Sequence, residues 1–495
     1  MRGKWFLTSV AVGLVLAAPA RAAETAVIVV DDLDLARYAQ RGAIGLTVPG
    51  AGSEVSGRGA RAALVRGEVE TALTGGVPTG DPLIRLARRP ADVTFYVALP
   101  PPGTRPNDRR YPVAVVGGGY HGLLQSTSTR IPGLVSIADI APTAVALEDG
   151  GQPRITSREA ADPVGELQDL DARLRHARDA RFGVDLVFIA SLLLASVGAL
   201  MLRSPLLGRA AILVAPAGLS LALTLSALDV ARPGAVIAGF ALGVPVVALA
   251  AAGVTGSRSR LLALLTIFLG AYAIVLWRWP EVNSLAAIGP HPYGGGRFYG
   301  LTNETATLLL PSMLAAGALA GIPWLAGVAA LSLGVVGLSA TGADGGGVLV
   351  VLAAFGVLAL RLADLRLTVR RLAALGAAVV AAGLLIVGID AAAGGESHVT
   401  RSLGSGPGSF AEDLAHRAEV SIRGPTSSPM PFLITVAALA LLIWVGTRHP
   451  RHAAVDAMLA GVAVSLVVND TPQDVAAFGA LGALALLSFR RTASG

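Results

Sequence analysis

The residues with the clearest chemical potential lie in Gly294–Glu304, between two long apolar segments of the chain. Glu304 stands where the second of these segments begins, directly after Asn303. Because placing a carboxylate in lipid costs roughly 2.5–3.5 kcal/mol, the Glu304 side chain must face a wet cavity or a partner. We therefore interpret this stretch as part of a polar site at one face of a membrane.

Three other connections between apolar segments carry side chains of the same chemical types. They are the Gly-rich segment Thr341–Gly347, the long connection 390–429 and the short turn 469–472. A carboxylate in such a site can act as a general base, an imidazole as an acid or base, and a guanidinium can hold phosphate. The candidate catalytic residues are Glu304, Asp344, Asp390, His398 and Asp470, and the candidate substrate-binding residues are Arg297, Tyr299, Asn303, Arg401 and Asn469.

Each of these residues also has an ordinary structural explanation. Asn303 and Glu304 would suit a helix start, Asp344 a turn, and Asn469 with Asp470 a helix cap before Pro472. Their concurrence at one predicted membrane face favours a shared functional site. Aspartate, glutamate and histidine are also metal ligands, but no spacing here requires a metal, so the sequence leaves the cofactor unassigned.

The composition predicts an integral membrane protein. Hydrophobic residues make up 53% of the chain and charged residues 15%, a balance that a soluble domain of this length does not show. The chain has no cysteine, which excludes disulfides and thiolate chemistry. A net charge of +6 can indicate a protein that binds nucleic acid, but the positions of the basic residues fit the orientation of a membrane protein better.

Residues 1–22 are typical of a secretory signal peptide. Arg2 and Lys4 precede an apolar stretch, and Ala20–Ala22 is a small-x-small cleavage site. An uncleaved first transmembrane helix is the alternative. Both readings place the following residues outside the cytoplasm.

Residues 23–156 predict an α/β domain. Apolar, β-branched runs at 25–30, 93–99 and 111–116 indicate strands, while 60–74 and 137–147 indicate helices. Strands alternating with helices favour an α/β layer fold. The charged segment 157–181 is predicted to form a helical stalk leading to the membrane.

Residues 182–490 predict an all-α transmembrane bundle of about 11 helices, from apolar blocks of about 17–20 residues. An odd number of spans, with the N-terminal domain outside, places the C-terminus in the cytoplasm. Arginine is concentrated in the connections that this topology places inside, as the positive-inside rule requires. The predicted spans are 183–202, 210–228, 234–254, 261–279, 303–320, 323–340, 345–361, 372–389, 430–447, 453–468 and 473–489.

The polar motifs resemble those of a family of uncharacterised bacterial multi-span membrane proteins with an extracytoplasmic domain similar to the alkaline phosphatase superfamily. The likeness is carried by Gly295–Glu304, by Gly342–Gly347, by Asp390 with Ser397, His398 and Arg401, and by Asn469–Asp470. It covers most of residues 27–490. Thr471–Pro472 stands where the family pattern has Ser-Gly.

The N-terminal half resembles alkaline-phosphatase-like domains in Ser126–Thr143. By that resemblance Asp31 matches a strand-end metal ligand, and Arg130 stands in place of a metal-binding histidine. Since a two-metal site needs several carboxylate and imidazole ligands, the resemblance implies a degenerate, inactive relative with a vestigial Asp31. Arg130 would then bind an anion such as phosphate.

Three functions stay open at the level of sequence. The first is an enzyme of the cell membrane that transfers a glycosyl or phosphoryl group on a lipid-linked or envelope substrate. The second is a transporter or flippase, although few charges occur within the predicted spans. The third is a scaffold that recruits envelope-assembly proteins through its pseudo-phosphatase domain.

Overall fold

A computed structural model describes residues 22–48, 56–68, 81–101, 109–292, 297–392, 429–469 and 471–493. An α/β domain is followed by a largely helical region, as the composition predicts. The predicted signal peptide lies outside the described residues except for its last position.

The N-terminal domain is built on a mixed seven-stranded sheet with the order β1-β3-β4-β2-β5-β7, in which β6 pairs with β2. Predicted strands at 25–30, 93–99 and 111–116 appear as β1, β3 and β4. The other four strands, which are short or contain glycine, were not predicted. The strands are β1 Thr25–Val30, β2 Gly42–Val48, β3 Val93–Ala98, β4 Tyr111–Gly117, β5 Gly122–Ser126, β6 Leu134–Ser136 and β7 Ile155–Arg158.

Both faces of this sheet are covered. One face packs against α2 (Gly57–Arg66), a 3₁₀ turn at Ile137–Asp139 and α3 (Ile140–Glu148), around residues such as Phe95 and Leu64. The other face packs against α1 (Leu35–Ala39) and the first half of α4 (Pro163–Leu202). The domain is thus a layered α/β structure with two separate apolar cores.

Helix α4 joins the α/β domain to the helical region without a break. It starts at a proline after Asp162, whose carboxylate accepts a hydrogen bond from the Gly165 amide at 3.0 Å. Leu167, Leu170 and Leu174 lie on the sheet, whereas Val184 and the residues beyond it lie in the core of the helical region. The segment predicted as a stalk, 157–181, therefore consists of the end of β7 and a helix packed on the sheet.

Helices occupy each of the predicted span positions. Within the described ranges, eight of them are long and apolar enough to cross a membrane, which supports a multi-pass membrane protein but does not confirm the predicted count of about eleven. The helices after α4 are α5 Pro205–Ala227, α6 Pro233–Val254, α7 Arg258–Arg278, α8 Pro280–Ser284, α9 Asn303–Ala320, α10 Ile322–Gly337, α11 Gly345–Leu362, α12 Val369–Ala392, α13 Pro429–Gly446, α14 Ala453–Val468 and α15 Pro472–Ala493.

We predict that Leu174→Ala lowers the free energy of unfolding by about 2–5 kcal/mol, because the side chain is fully buried against the sheet. The measurement is thermal denaturation of the detergent-solubilised protein. Leu194→Ala is the matched control on the same helix, since Leu194 is 75% exposed and should change stability little. Equal effects of the two substitutions would contradict the packing of α4 on the sheet.

Candidate functional site

A buried ion pair between Arg181 and Glu304 lies at the centre of the candidate site. Glu304 is in the first turn of α9, where Thr302 caps the helix by accepting a hydrogen bond from the Thr305 amide at 3.1 Å. Only 6% of Glu304 is exposed, and one of its carboxylate oxygens accepts a short hydrogen bond from Arg181 Nη2. The positive end of the α9 dipole and the guanidinium together stabilise the carboxylate.

A second carboxylate, Asp185, belongs to the same cluster. It lies one turn after Arg181 on α4, with 3.9 Å between Asp185 Oδ2 and Arg181 Nε. Asp185 and Glu304 therefore both lie against the guanidinium of Arg181, and Asp474 of α15 is close enough to interact electrostatically with Asp185. The cluster thus places more acidic than basic side chains together between α4, α9 and α15.

His291 lies beside this cluster in the connection between α8 and α9. Its Nε2 atom is inaccessible to solvent, although the residue as a whole is partly exposed. Burial, together with the guanidinium groups of Arg181 and Arg297, lowers the pKa of His291 to about 3. The imidazole is therefore neutral near pH 7.

Arg297 and Asp344 form a second ion pair, with 3.8 Å between Arg297 Nη2 and Asp344 Oδ1. The segments that carry Arg297 and Asp344 are also joined by a backbone hydrogen bond, in which the Leu301 amide donates to the Gly342 carbonyl at 2.8 Å. Gly300 adopts a φ of +84°, and a β-carbon there would come within 2.2 Å of the Gly342 oxygen. Only glycine fits this contact, so the two predicted motifs are held against each other.

The turn before α15 joins the same region. Asn303 Nδ2 donates to Thr471 Oγ1 at 3.4 Å, and a β-carbon on Gly346 would come within 2.3 Å of Asn469 Oδ1. Asn469 is the C-cap of α14 and donates to Ser465 Oγ at 2.6 Å. Asn469 therefore ends α14, whereas the sequence suggested that it could cap the start of the next helix.

Arg130 of the α/β domain contacts the Gly294–Glu304 motif directly. Its guanidinium carbon lies 3.7 Å from the centroid of the Tyr299 ring, a cation–π contact. Phe298 packs against the sheet-face core that also contains Leu167 and Leu170. The predicted anion-binding arginine of one domain thus lies on the predicted substrate-binding tyrosine of the other.

In the segment Ser126–Thr143 of the α/β domain, the polar side chains bond to one another inside the fold. Asp139, which is 1% exposed, accepts hydrogen bonds from the hydroxyl groups of Ser126 and Ser128. Asp31 follows the end of β1, as expected, and is exposed. Within the described residues, no group of three or more histidine, aspartate and glutamate side chains could hold a metal ion.

The remaining predicted residues are not described at the level of side chains. Asp390 lies near the end of α12, and His398, Arg401 and Asp470 fall outside the described residues. Sequence reasoning missed Arg181, Asp185 and His291. The four-residue spacing of Arg181 and Asp185 at the start of a predicted span was a usable signal, but the segment was interpreted as a stalk.

Comparisons with known protein families, with curated proteins and with solved structures gave no match to this chain.

We predict that Arg181→Gln destabilises the protein by about 3–5 kcal/mol, because it leaves Glu304 buried without its cation. Glu304→Gln in the same chain should restore part of this loss, since the neutral amide needs no counter-ion. A double-mutant cycle of thermal denaturation measures the coupling. Arg178→Gln is the control, because Arg178 is only half-buried and its partner Asp179 is exposed. Strictly additive losses at Arg181 and Glu304 would refute the pair.

We predict that acidification destabilises the protein through His291. In the unfolded chain the imidazole binds a proton below about pH 6.5, whereas in the folded protein it does so only near about pH 3. The contribution of His291 to the free energy of unfolding is therefore fully present above about pH 6.5 and is lost as the pH falls toward about 3. Between about pH 7 and about pH 5 the loss from this residue is about 2 kcal/mol. His291→Asn should remove that part of the pH dependence, as measured by denaturation at both pH values, while His176→Asn should not.

Proposed function

We propose that this protein is a membrane enzyme that transfers a glycosyl or phosphoryl group on a lipid-linked or cell-envelope substrate at the extracytoplasmic face. The observation that carries the proposal is the cluster of Arg181, Asp185, Glu304 and neutral His291 next to the Arg297–Asp344 pair. Guanidinium groups are suited to phosphate or pyrophosphate, and carboxylates to accepting a proton from an attacking hydroxyl.

The position of the cluster supports this assignment. Glu304 begins α9 and Asp185 follows the part of α4 that packs on the sheet, so both lie where the bundle meets the α/β domain. A substrate with a lipid anchor and a polar head would reach such a site from the membrane, while its head extended toward the domain. Arg130 on Tyr299 supplies a further cation at that boundary.

The roles that we propose follow from these contacts. Glu304 is the general base, held by Arg181 and by the start of α9. Arg297 and Arg130 bind the anionic part of the substrate, and Asp344 positions Arg297. The bundle spans the cell membrane with the C-terminus in the cytoplasm, an orientation supported by the distribution of arginine.

A second candidate function is proton-coupled transport or lipid flipping. It is favoured by one observation, that the carboxyl groups of Asp185 and Glu304 both lie against the guanidinium of Arg181 inside the helical region. Two carboxyl groups beside a single guanidinium can hold one proton between them and release it when the substrate changes the local charge.

We predict that Glu304→Gln reduces activity by at least about 100-fold, the contribution of a general base. The composition of cell-envelope polymers is measured in cells that depend on the variant, with its amount in the membrane held equal. Glu281→Gln is the matched control, since Glu281 lies on the same side of the bundle in α8 and is exposed.

Wild-type polymer composition in the Glu304→Gln variant would overturn the enzymatic proposal. Sealed vesicles that contain the purified protein separate the second candidate from the first. Substrate-dependent proton movement without a change in covalent structure would identify transport, whereas a modified product would identify transfer.

A further inference from the structure

A basic surface lies at the end of the bundle that is distant from the candidate site. Helix α11 has 18 residues and starts directly after Asp344, so Arg361, near its other end, lies about 25 Å away along the helix axis. That distance approaches the thickness of about 30 Å of the hydrocarbon core of a membrane. The basic surface is formed by residues 361–371 and 447–456, and its arginines are Arg361, Arg366, Arg370, Arg371, Arg448 and Arg451.

Asp456 joins the two segments of this basic surface. It is 7% exposed and lies in the first turn of α14. Its Oδ2 atom is 2.8 Å from Arg361 Nε, and its Oδ1 atom is 2.6 Å from Arg451 Nε. Arg451 also donates a short hydrogen bond to the Gly446 carbonyl at the end of α13. One buried carboxylate therefore holds arginines from both segments together, although membrane orientation requires only that each segment be basic.

The positive charge of the basic surface exceeds its negative charge. The two segments contain six arginines and only two acidic residues, Asp364 and Asp456, and Asp456 is already paired. The four arginines that Asp456 does not hold are exposed, and they are Arg366, Arg370, Arg371 and Arg448. Because a guanidinium matches the oxygens of phosphate in charge and geometry, the surface suits phosphate groups.

Exposed apolar side chains lie among these arginines, which favours a lipid over a polyanion in water. Leu365, Val369 and Leu372 are 38%, 86% and 43% exposed, although they lie next to arginines in the sequence. In the other segment, the guanidinium carbon of Arg448 lies 4.4 Å from the centroid of the Trp444 ring, and Trp444 is 37% exposed. Alternating arginine and apolar residues, with tryptophan beside them, are typical of the boundary between head groups and acyl chains.

We propose that the basic surface binds the anionic phosphate head groups of phospholipids in the membrane leaflet opposite the candidate site. The exposed arginines contact the phosphates, while Val369, Leu372 and Trp444 lie at the level where head groups meet acyl chains. The ion pairs of Asp456 keep the two segments side by side, so that both bind the same lipid layer. This lipid binding does not depend on the reaction proposed for the candidate site.

The test measures which lipids lie next to the basic surface of the full-length protein. The chain has no cysteine, so Val369→Cys can be labelled with a single donor fluorophore at an exposed position. The protein is placed in phosphatidylcholine vesicles with a small fraction of phosphatidylglycerol, or of phosphatidylcholine, that carries an acceptor fluorophore on one acyl chain. Energy transfer should be at least about twofold greater to phosphatidylglycerol, because basic residues near a membrane attract anionic lipids. A donor at Leu228→Cys, which is 67% exposed at the other end of the bundle, should show no preference.

Substitutions of exposed arginines test the head-group contacts in variants that keep their core packing. Arg370→Gln with Arg371→Gln should remove most of the preference for phosphatidylglycerol at position 369, whereas Arg370→Lys with Arg371→Lys should retain it, since the charge is kept. Arg232→Gln is the matched control, because Arg232 is exposed at the start of α6, at the other end of the bundle. Raising the ionic strength to about 1 M should also weaken the preference, because the Debye length then falls to about 3 Å.

Three results would overturn the proposal. They are equal energy transfer to the two lipids at position 369, a preference that survives Arg370→Gln with Arg371→Gln, and an equal preference at position 228. The first result would favour a different partner for the basic surface, such as an acidic protein. The third would show that the charge of the whole protein, and not this surface, attracts the lipid. Glu304→Gln should keep the lipid preference of the wild type, so a loss of activity in that variant bears only on the proposed function.

Discussion

The ion pair between Arg181 and Glu304 is the interaction on which the rest of the site depends. A lone carboxylate at this depth would be expelled toward water or protonated, so its cation must be fixed in place. Arg181 is held in place because α4 runs from the sheet into the bundle as one helix. Glu304 is held in place because Thr302 caps the start of α9. Two elements that are distant in sequence therefore fix each other at the boundary of the two domains.

Helix α4 gives the molecule its organisation, because its two halves belong to two different cores. Leu167, Leu170 and Leu174 complete one face of the sheet, and Val184 and Phe188 enter the helical core. The α/β domain is thus packed directly against the bundle. Arg130 then reaches Tyr299, and Phe298 enters the sheet-face core. The α/β domain thus contributes Arg130 to the contact with Tyr299, while its buried Asp139 accepts hydrogen bonds from Ser126 and Ser128.

The residues of the candidate site that could be predicted are those that a local sequence pattern marks. Gly300, Asn303, Glu304, Asp344 and Asn469 were recognisable because polar and glycine residues stand out at the ends of apolar segments. The partners of Glu304 were not recognisable in the same way. Arg181 and Asp185 lie more than a hundred residues before it, in a charged helical segment where arginine and aspartate are common. The strands β2, β5, β6 and β7 were missed because their partners across the sheet, and not their own residues, stabilise them.

The sequence by itself determined that this is a membrane protein with an α/β domain before its spans, because hydropathy and residue periodicity are local properties of the chain. It also determined which connections carry the unusual polar residues. Only the tertiary structure decided that Arg297 faces Asp344 and that Arg181 neutralises Glu304. Those pairings depend on which helices pack together and in what rotation, and packing joins residues that no local pattern relates.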